Sequence, residues 1–193
     1  MARYVALLRA VNVAGHARIT SAELVKTFSQ AGALDVSSFG HAGSLLFSAP
    51  RGTAAIVTRA GNLLERRHGE RPQIVVRGAR ELAALVAAEP FTASGAGPTD
   101  KLYVVFLTRK PRRTPALPLR SLAERLTVFD VRERDVLLVS GRKTNGFYGF
   151  PNAFVETAFG VAATSRNWST VTRLAKRLAE DGPKRGQIYK SVP

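Results

Sequence analysis

The chain has 193 residues, of which 45% are hydrophobic and 22% are charged, and 29 Lys and Arg against 14 Asp and Glu give a net charge of +15. These values are typical of a folded globular protein with one large or two small domains, and they exclude a disordered, collagen-like or coiled-coil chain. Because the sequence has no cysteine, disulfide bonds, zinc–thiolate sites, iron–sulfur ligation and a catalytic thiol are excluded as well.

The first 78 residues predict the element order βαββαβ. An apolar run at residues 3–11 is typical of a strand that is buried on both faces. Thr20, or Ser21 beside it, can cap a helix, since Glu23 lies three residues after Thr20 in the capping-box arrangement. The helix ends at Gly32. The other elements of this half are hairpin strands at Val36–Gly40 and Ser44–Phe47, a helix at Thr53–Arg67 and a strand at Gln73–Arg77. This order is the ferredoxin-like pattern, in which two helices cover one face of an antiparallel sheet.

The rest of the chain predicts a second half with the order βαββαα. A helix at Arg80–Ala88 and a linker of small residues and turn formers at 92–98 precede it. Its elements are a strand at Leu102–Leu107, a short helix at Leu119–Leu126, a hairpin at Val128–Val131 and Val136–Val139, and helices at Pro151–Phe159 and Trp168–Ala179. The fold prediction is therefore α+β, with two consecutive ferredoxin-like-related halves, mainly antiparallel sheets and helices on one face.

The element order also predicts how the chain divides. Residues 1–78 form the ferredoxin-like half, 79–100 a helix and linker, 101–180 the second α+β half, and 181–193 a flexible basic tail. We expect a cytoplasmic monomer or homodimer that does not bind membranes. The apolar stretch at the start of the sequence is broken by Arg9 and Asn12, is shorter than the roughly 20 residues of a membrane span, and lacks a signal-peptide cleavage pattern.

The positive charge makes a polyanion a candidate partner, because a basic surface concentrates and steers nucleic acid. A biased coding composition, rich in Ala and Arg, is the alternative explanation. Residues 1–78 carry ten basic and four acidic residues, and residues 79–193 carry nineteen and ten, so both halves are basic. One compact basic cluster stands out, formed by Arg109, Lys110, Arg112 and Arg113.

The motifs of known catalytic and metal sites are mostly absent. The three histidines His16, His41 and His68 have no partner at metal-ligand spacing, so no metal site is predicted, and no cofactor is expected. The run 141–144, Gly-Arg-Lys-Thr, lacks the preceding glycine that a phosphate-binding loop requires. His41 and Ser44 could form a base and nucleophile pair, or they could belong to a tight turn that positions backbone.

Polar residues interrupt the end of the first strand. Arg9 and Asn12 precede Gly15, so their side chains emerge where the strand opens into a loop. Strand ends of this kind are common binding positions. The alternative is a structural salt bridge made by Arg9 and a turn made by Asn12.

A glycine-rich loop at 141–150 combines two basic residues with three aromatic ones. Aromatic faces stack on bases and cations contact phosphates, which is the chemistry of single-strand recognition. Arg142, Lys143 and Tyr148 are therefore candidate nucleic-acid-binding residues. The alternative is a hairpin exit whose Phe side chains fold into the core.

The residues at 163–171 open the final helix in this prediction. A helix N-terminus favours an anion because its first N–H groups are unpaired, and Arg166 would strengthen that preference. Arg166 and Asn167 are therefore candidate ligand-binding residues. On this view removing Arg166 weakens anion binding without loss of stability, whereas removing Trp168 costs roughly 3–5 kcal/mol. The alternative is simple capping by Ser165 or Asn167.

Three stretches resemble the domain of unknown function 1697 family of bacterial proteins. They are the opening RYVALLRAVNVAG, the hairpin FGHAGSLLFS and the run TSRNWSTVTRL. The resemblance covers about residues 3–178 in the same order, and its most specific part is RNW-x-TVT-x-L. It implies a cytoplasmic α+β protein built from ferredoxin-like pieces and brings no established activity with it.

Within the resemblance some motif residues are kept and others are lost. The family pattern R-G-I-N-V-G-G corresponds to residues 9–15, which keep Arg9, Asn12 and Gly15 but lose two glycines. The family turn Q-S-G-N corresponds to residues 41–44, where His41 and Ser44 replace both amides. The family run S-K-L-T-N corresponds to residues 148–152, where only Asn152 is kept.

These observations predict a protein that binds an anionic ligand, which we expect to be nucleic acid or a nucleotide. The candidate ligand-binding residues are Arg9, Asn12, His41, Asn152, Arg166 and Asn167. One alternative is a small-molecule enzyme that acts on a phosphate- or carboxylate-bearing substrate in the same cleft. Another is a structural or interaction module. A tight cleft favours the enzyme, whereas a broad basic face favours nucleic acid.

Overall fold

A computed structural model of the protein describes residues 1–9, 19–40 and 43–180. The described strands are β1 (Ala2–Leu8), β2 (Leu34–Ser38), β3 (Ser44–Ala49), β4 (Ile74–Gly78), β5 (Lys101–Leu107), β6 (Leu119–Ser121), β7 (Leu126–Arg132), β8 (Asp135–Ser140) and β9 (Ala163–Asn167). The described helices are α1 (Ser21–Gln30), α2 (Ala54–His68), α3 (Ala79–Ala87), α4 (Pro151–Phe159) and α5 (Trp168–Glu180). Asn12, His41 and the predicted tail at 181–193 lie outside the described residues.

The first sheet has the strand order β2-β3-β1-β4, and every neighbouring pair is antiparallel. With α1 and α2 it gives the predicted element order βαββαβ, which is compatible with a ferredoxin-like half. The predicted cap of α1 is confirmed, because the Thr20 hydroxyl accepts a hydrogen bond from the Glu23 amide at 3.1 Å. Phe28 of α1 and Leu64 of α2 pack with Phe47 on one face of this sheet.

The second sheet has the strand order β6-β7-β8-β5-β9 and is also antiparallel throughout. The predicted order βαββαα is wrong here in two places. The short helix predicted at Leu119–Leu126 is instead β6, a turn and the start of β7, because Leu119 pairs with Val128 across the hairpin and Leu126 is buried in the core. The segment before the last helix is β9, which pairs with β5.

The two sheets share a central core that includes α3 and α5. Val5 of β1, Leu82 of α3, Val104 of β5 and Leu174 of α5 belong to one buried cluster. Helix α4 covers the opposite face of the second sheet, where Val155 packs in a separate cluster. The first sheet is therefore covered on both faces, and the central core contains residues from both predicted halves. The division into domains itself stays a prediction.

A buried ion pair joins the two sheets at one end of this core. The Arg77 side chain is 1% exposed, and its Nε and Nη2 atoms lie 3.0 and 2.9 Å from Oδ1 of Asp135. Arg77 also donates to the carbonyl oxygens of Leu107, at 3.1 Å, and Arg134, at 2.8 Å. Burial lowers the pKa of Arg77 and raises the pKa of Asp135, since it penalises the charged form of each. The charge pair and the carbonyl acceptors offset this cost.

Candidate nucleic-acid interface

The loop between β8 and α4 folds as a short hairpin. Arg142 and Tyr148 form an antiparallel bridge, and the Lys143 amide donates to the Phe147 carbonyl at 2.8 Å. The turn closes at Gly146, whose φ of +81° is a conformation that favours glycine. The Asn145 side chain accepts a hydrogen bond from the Phe147 amide at 3.1 Å. The loop is therefore held by its own hydrogen bonds, in a defined shape.

Two aromatic side chains of this loop face solvent. Phe147 is 71% exposed and Phe150 is 86% exposed, so the alternative in which the Phe side chains fold into the core is wrong. Tyr148, by contrast, is held in place: its hydroxyl donates to the Thr99 carbonyl at 2.6 Å, and the Lys101 ammonium lies 4.0 Å from its ring centre. The exposed aromatic surface of the loop comes from Phe147 and Phe150.

Of the two basic residues of the loop, one is exposed and the other pairs with a neighbouring turn. Arg142 is exposed, and its Nε donates to the Gly146 carbonyl within the hairpin at 3.2 Å. The Lys143 ammonium lies 3.1 Å from the Glu124 carboxylate in the turn between β6 and β7. Gly149 packs so closely on that turn that a Cβ there would collide with the Glu124 carbonyl oxygen. Lys143 and Gly149 thus fix the loop on its neighbour, and Arg142 keeps an exposed cation.

An open cavity of about 680 Å³ begins where this loop leaves β8. Gly141, the first loop residue, lines it together with the exposed arginines Arg120 and Arg125, and Asp100 is its one acidic lining residue among those described. The cavity therefore adds two cations to the surface beside the loop. The name aromatic–basic surface is used below for five residues: Arg120, Arg125, Arg142, Phe147 and Phe150.

A second basic cavity lies at the other end of α4. Its volume is about 640 Å³, and its lining residues are Arg109, Arg112, Arg113, Ala158, Phe159 and Gly160. Arg109 donates to the Gly160 carbonyl, which closes α4, at 3.2 Å. Lys110, the fourth member of the cluster noted in the sequence, pairs instead with Glu133 at 3.0 Å. The name arginine cavity is used below for this site.

Arg9 lies beside the helix that carries Asn152. Its Nη2 is 2.7 Å from Oε2 of Glu156, and the other oxygen of that carboxylate accepts the Ala163 amide at 2.7 Å. Asn152 lies one turn before Glu156 on the same face of α4. Its Oδ1 is buried and has no hydrogen-bond partner in the described part of the chain. Arg9 therefore makes the ion pair that the sequence offered as its structural alternative.

Arg166 lies in β9, two residues before α5 begins at Trp168, so the predicted start of the final helix is confirmed, although the strand before it was not predicted. Its guanidinium reaches across to the first sheet, where it contacts the Ser44 hydroxyl at 3.1 Å and the carbonyls of Leu8 and Gly43 at 3.3 Å each. It also donates to its own strand, to Oγ1 of Thr164 at 3.0 Å. Burial lowers its pKa to about 10, so it stays protonated at neutral pH. Its ligand-binding role stays a prediction.

Asn167 does not share the surroundings of Arg166. It is exposed, and it lines an open cavity of about 350 Å³ with Lys101, Leu102, Trp168 and Ser169. Successive residues of a strand point to opposite faces, which accounts for the separation. Arg166 reaches the end of β1, next to Arg9, but the structure does not bring Asn167 to the same place.

The described residues hold neither a cluster of metal-ligating side chains nor a membrane-spanning helix. Among them, no group of three or more His, Asp or Glu side chains is arranged to hold a metal ion. None of the helices in these ranges combines the length and the apolar character that a membrane span needs.

The residues of the aromatic–basic surface other than Arg142 were not predicted as site residues. Phe147 and Phe150 belong to the loop that the sequence singled out, but whether an aromatic side chain is exposed depends on what packs against it. Arg120 and Arg125 were assigned to a helix. A signal for Phe147 existed, because the Asn-Gly pair before it is typical of a tight hairpin turn whose flanking side chains are exposed.

The match to a protein-family model places the chain in a family. Its first 137 residues match the family model described as protein of unknown function (DUF1697), a match that stops before the run at 164–174. A solved structure of a conserved bacterial protein from Streptococcus pneumoniae is similar with a TM-score of 0.63, at 16% sequence identity, over 92% of this chain and 98% of that one. At that identity the likeness shows the fold alone. No curated protein matches. The family match spans more than two thirds of the sequence, and the chain therefore belongs to this family of proteins of unknown function.

Proposed function

We propose that the protein binds single-stranded nucleic acid through the aromatic–basic surface. The observation that carries the proposal is the pair of solvent-facing rings, Phe147 and Phe150, on a loop whose exposed cation is Arg142. Large aromatic side chains are usually buried, because burying one stabilises a protein by a few kcal/mol. Two exposed rings on one ordered loop are a surface for a ligand with apolar faces.

The surrounding charge selects the class of ligand. Arg120, Arg125 and Arg142 are exposed on this surface, and the whole chain carries +15. A ligand that presents flat apolar faces and regularly spaced negative charges satisfies both features, and a nucleic acid strand has both. The proposal favours a single strand, since paired bases in a duplex do not offer their faces to a side chain.

The other two predicted contact residues support the loop in this proposal. Tyr148 donates to Thr99, and Lys143 pairs with Glu124, so both side chains already have partners. They hold the hairpin against its neighbours, and the exposed rings therefore lose little freedom when a base stacks on them. Such preorganisation lowers the entropic cost of binding.

The test is fluorescence anisotropy with a labelled twelve-nucleotide oligothymidine. We expect the Phe147→Ala/Phe150→Ala variant to bind about 30-fold more weakly than the unchanged protein, because stacking contributes about 1–3 kcal/mol per base. The matched control is Leu34→Ala, which removes an exposed apolar side chain from the edge strand β2 and should leave the affinity unchanged.

A twelve-base-pair duplex of mixed sequence is the second ligand in this experiment. It should bind more weakly than the single strand and should not distinguish the double variant from the unchanged protein. Equal affinity of both proteins for the single strand, or no binding by either, would exclude the proposal. Thermal denaturation of both variants verifies that they are folded.

A further inference from the structure

We propose that the bound strand runs along α4, from the aromatic–basic surface at the start of the helix to the arginine cavity at its end. This inference rests on the proposed function and extends it, since it assigns a second contact site and a minimum length of ligand. The starting observation is that the two basic regions lie at opposite ends of one helix: Phe150 directly precedes α4, and Gly160 directly follows it.

The length of α4 suits a short stretch of single strand. The helix has nine residues, which at a rise of about 1.5 Å per residue gives a length of about 13 Å. Stacked nucleotides are spaced by about 3.4 Å, so about four of them span this distance. With two bases on the Phe rings and one or two phosphates in the arginine cavity, the full contact needs about eight nucleotides.

The surface of α4 between the two sites carries no unpaired negative charge. Its exposed residues are uncharged, as Ala153 and Thr157 illustrate. Its one acidic residue is Glu156, whose two carboxylate oxygens are occupied by Arg9 and by the Ala163 amide. A phosphate backbone can therefore pass along the helix without meeting a free carboxylate.

The arginine cavity has cations available for phosphates. Arg109 donates to the Gly160 carbonyl, so it compensates the negative end of the α4 dipole, which would otherwise repel an anion. Arg112 and Arg113 are exposed, and no acidic side chain in the described ranges pairs with either. Each guanidinium presents a planar set of N–H donors that suits a phosphate. Pro111 restricts the backbone just before them, which limits the conformations that they must give up on binding.

The test compares oligothymidines of five and twelve nucleotides. Only the longer one can occupy both Phe rings and the arginine cavity at the same time, which needs about eight nucleotides. We expect the Arg112→Ala/Arg113→Ala variant to bind the twelve-mer about tenfold more weakly, with the slope of log affinity against log salt reduced by about 1.4, because each phosphate contact on a single strand contributes about 0.7. Its affinity for the five-mer should change by less than twofold.

The matched control is Arg51→Ala/Arg80→Ala, which removes two exposed arginines from other parts of the surface. This variant should bind the twelve-mer less than threefold more weakly, since it changes only the long-range electrostatic field. A second readout needs no variant. In NMR spectra of the ¹⁵N-labelled protein, the five-mer should shift the amide signals of residues 120–125 and 142–150 and leave those of residues 109–113 unchanged, whereas the twelve-mer should shift both sets.

The two proposals fail in different ways. If the Phe147→Ala/Phe150→Ala variant loses binding while the Arg112→Ala/Arg113→Ala variant binds the twelve-mer normally, the path along α4 is wrong and the proposed function stands. The path is also excluded if the Arg112→Ala/Arg113→Ala variant loses affinity for the five-mer by the same factor as for the twelve-mer. If the unchanged protein binds neither oligonucleotide, both proposals are excluded.

Discussion

Arg77 and Arg166 place positive charges between the two sheets, and each of them bonds mainly to protein oxygen atoms. A guanidinium has five N–H donors, and those of Arg166 reach acceptors on both sheets, among them the carbonyls of Leu8 and Gly43. An arginine that is used in this way joins two parts of a protein. Its charge interacts favourably with the carbonyl dipoles around it.

The first prediction concerns this joining role. We expect Arg166→Ala to lower the free energy of unfolding by about 3 kcal/mol, because the Leu8 carbonyl and the buried Ser44 hydroxyl on the first sheet lose a charged donor. Urea denaturation followed by circular dichroism measures the change. The control is Arg80→Ala, an exposed arginine of α3, for which the loss should stay below about 0.5 kcal/mol.

The opposite result would support the ligand-binding role that the sequence predicts for Arg166. If Arg166→Ala has the stability of the unchanged protein and binds an oligonucleotide more weakly, Arg166 acts on the ligand and the contacts with the first sheet contribute little. The structure favours the loss of stability, since Ser44 and Leu8 are part of those contacts.

At the scale of elements, the junction of β9 with α5 organises one corner of the central core. Trp168 is the first residue of α5. Its ring packs on Phe91, with 5.1 Å between ring centres, and the Phe91 ring lies 5.4 Å from that of Phe129. Three aromatic rings from the last helix, the linker and β7 thus meet in one place. Tilted and edge-to-face aromatic pairs of this kind add to the free energy that burial provides.

The second prediction follows from this aromatic group. Trp168→Ala should lower the free energy of unfolding by about 3 kcal/mol, since it removes a ring that packs on the core and leaves a cavity beside Phe91. Phe147→Ala is the matched control: it removes an aromatic side chain that is 71% exposed, so the loss should be below about 0.5 kcal/mol. Chemical denaturation of the two variants measures both free energies of unfolding. An equal loss of stability in the two variants would contradict the prediction.

The elements that the sequence predicted well depend on local signals. The cap at Thr20 and the helix at Pro151–Phe159, with proline in its first turn and Gly160 after its last, were correctly located. Strands β6 and β9 were missed because each depends on a partner elsewhere in the chain: Leu119 pairs with Val128, and β9 pairs with β5. A short window of sequence does not by itself specify such a pairing.

The candidate site shows the same limit. The loop at 141–150 was recognised from its composition, but the exposure of Phe150 and the pairing of Lys143 with Glu124 depend on how the turn between β6 and β7 packs. Arg166 was noted as a cation, while its partners on the first sheet lie more than 120 residues earlier in the chain. A sequence pattern indicates which chemistry is available, and tertiary packing determines which of those groups remain free to use it.

At the scale of the whole molecule, the charge of +15 is spread over both sheets, and much of it is exposed. The loop at 141–150 and the arginine cavity are built from residues of the second half, and the cavity beside the loop is lined by the second half together with Ser94, Gly95 and Asp100 of the linker. In the proposed function, this positive field attracts a polyanion from any direction, and the second half supplies the specific contacts. Attraction of this kind raises the rate of association and weakens with salt.

The third prediction concerns that salt dependence. Five exposed arginines, three on the aromatic–basic surface and two in the arginine cavity, are expected to contact phosphates. At about 0.7 per contact the slope of log affinity against log salt for a twelve-nucleotide single strand should be about −3.5, which is a loss of about 100-fold between 50 and 200 mM salt. Anisotropy titrations in potassium chloride measure the slope. A slope between 0 and about −1 would support the coding-bias explanation of the charge.

The end of α5 is attached to the very start of the sheet it covers. Nη1 of Arg3 donates to the Leu178 carbonyl at 2.6 Å, and Val5 of β1 packs in the same cluster as Leu174. During synthesis β1 leaves the ribosome before any other described element, and α3 covers only part of its inner face until the residues of α5 have followed. For most of its translation the nascent chain exposes apolar strand surface, which is the kind of surface that chaperones bind. The protein therefore folds to completion only after translation has passed its last described helix.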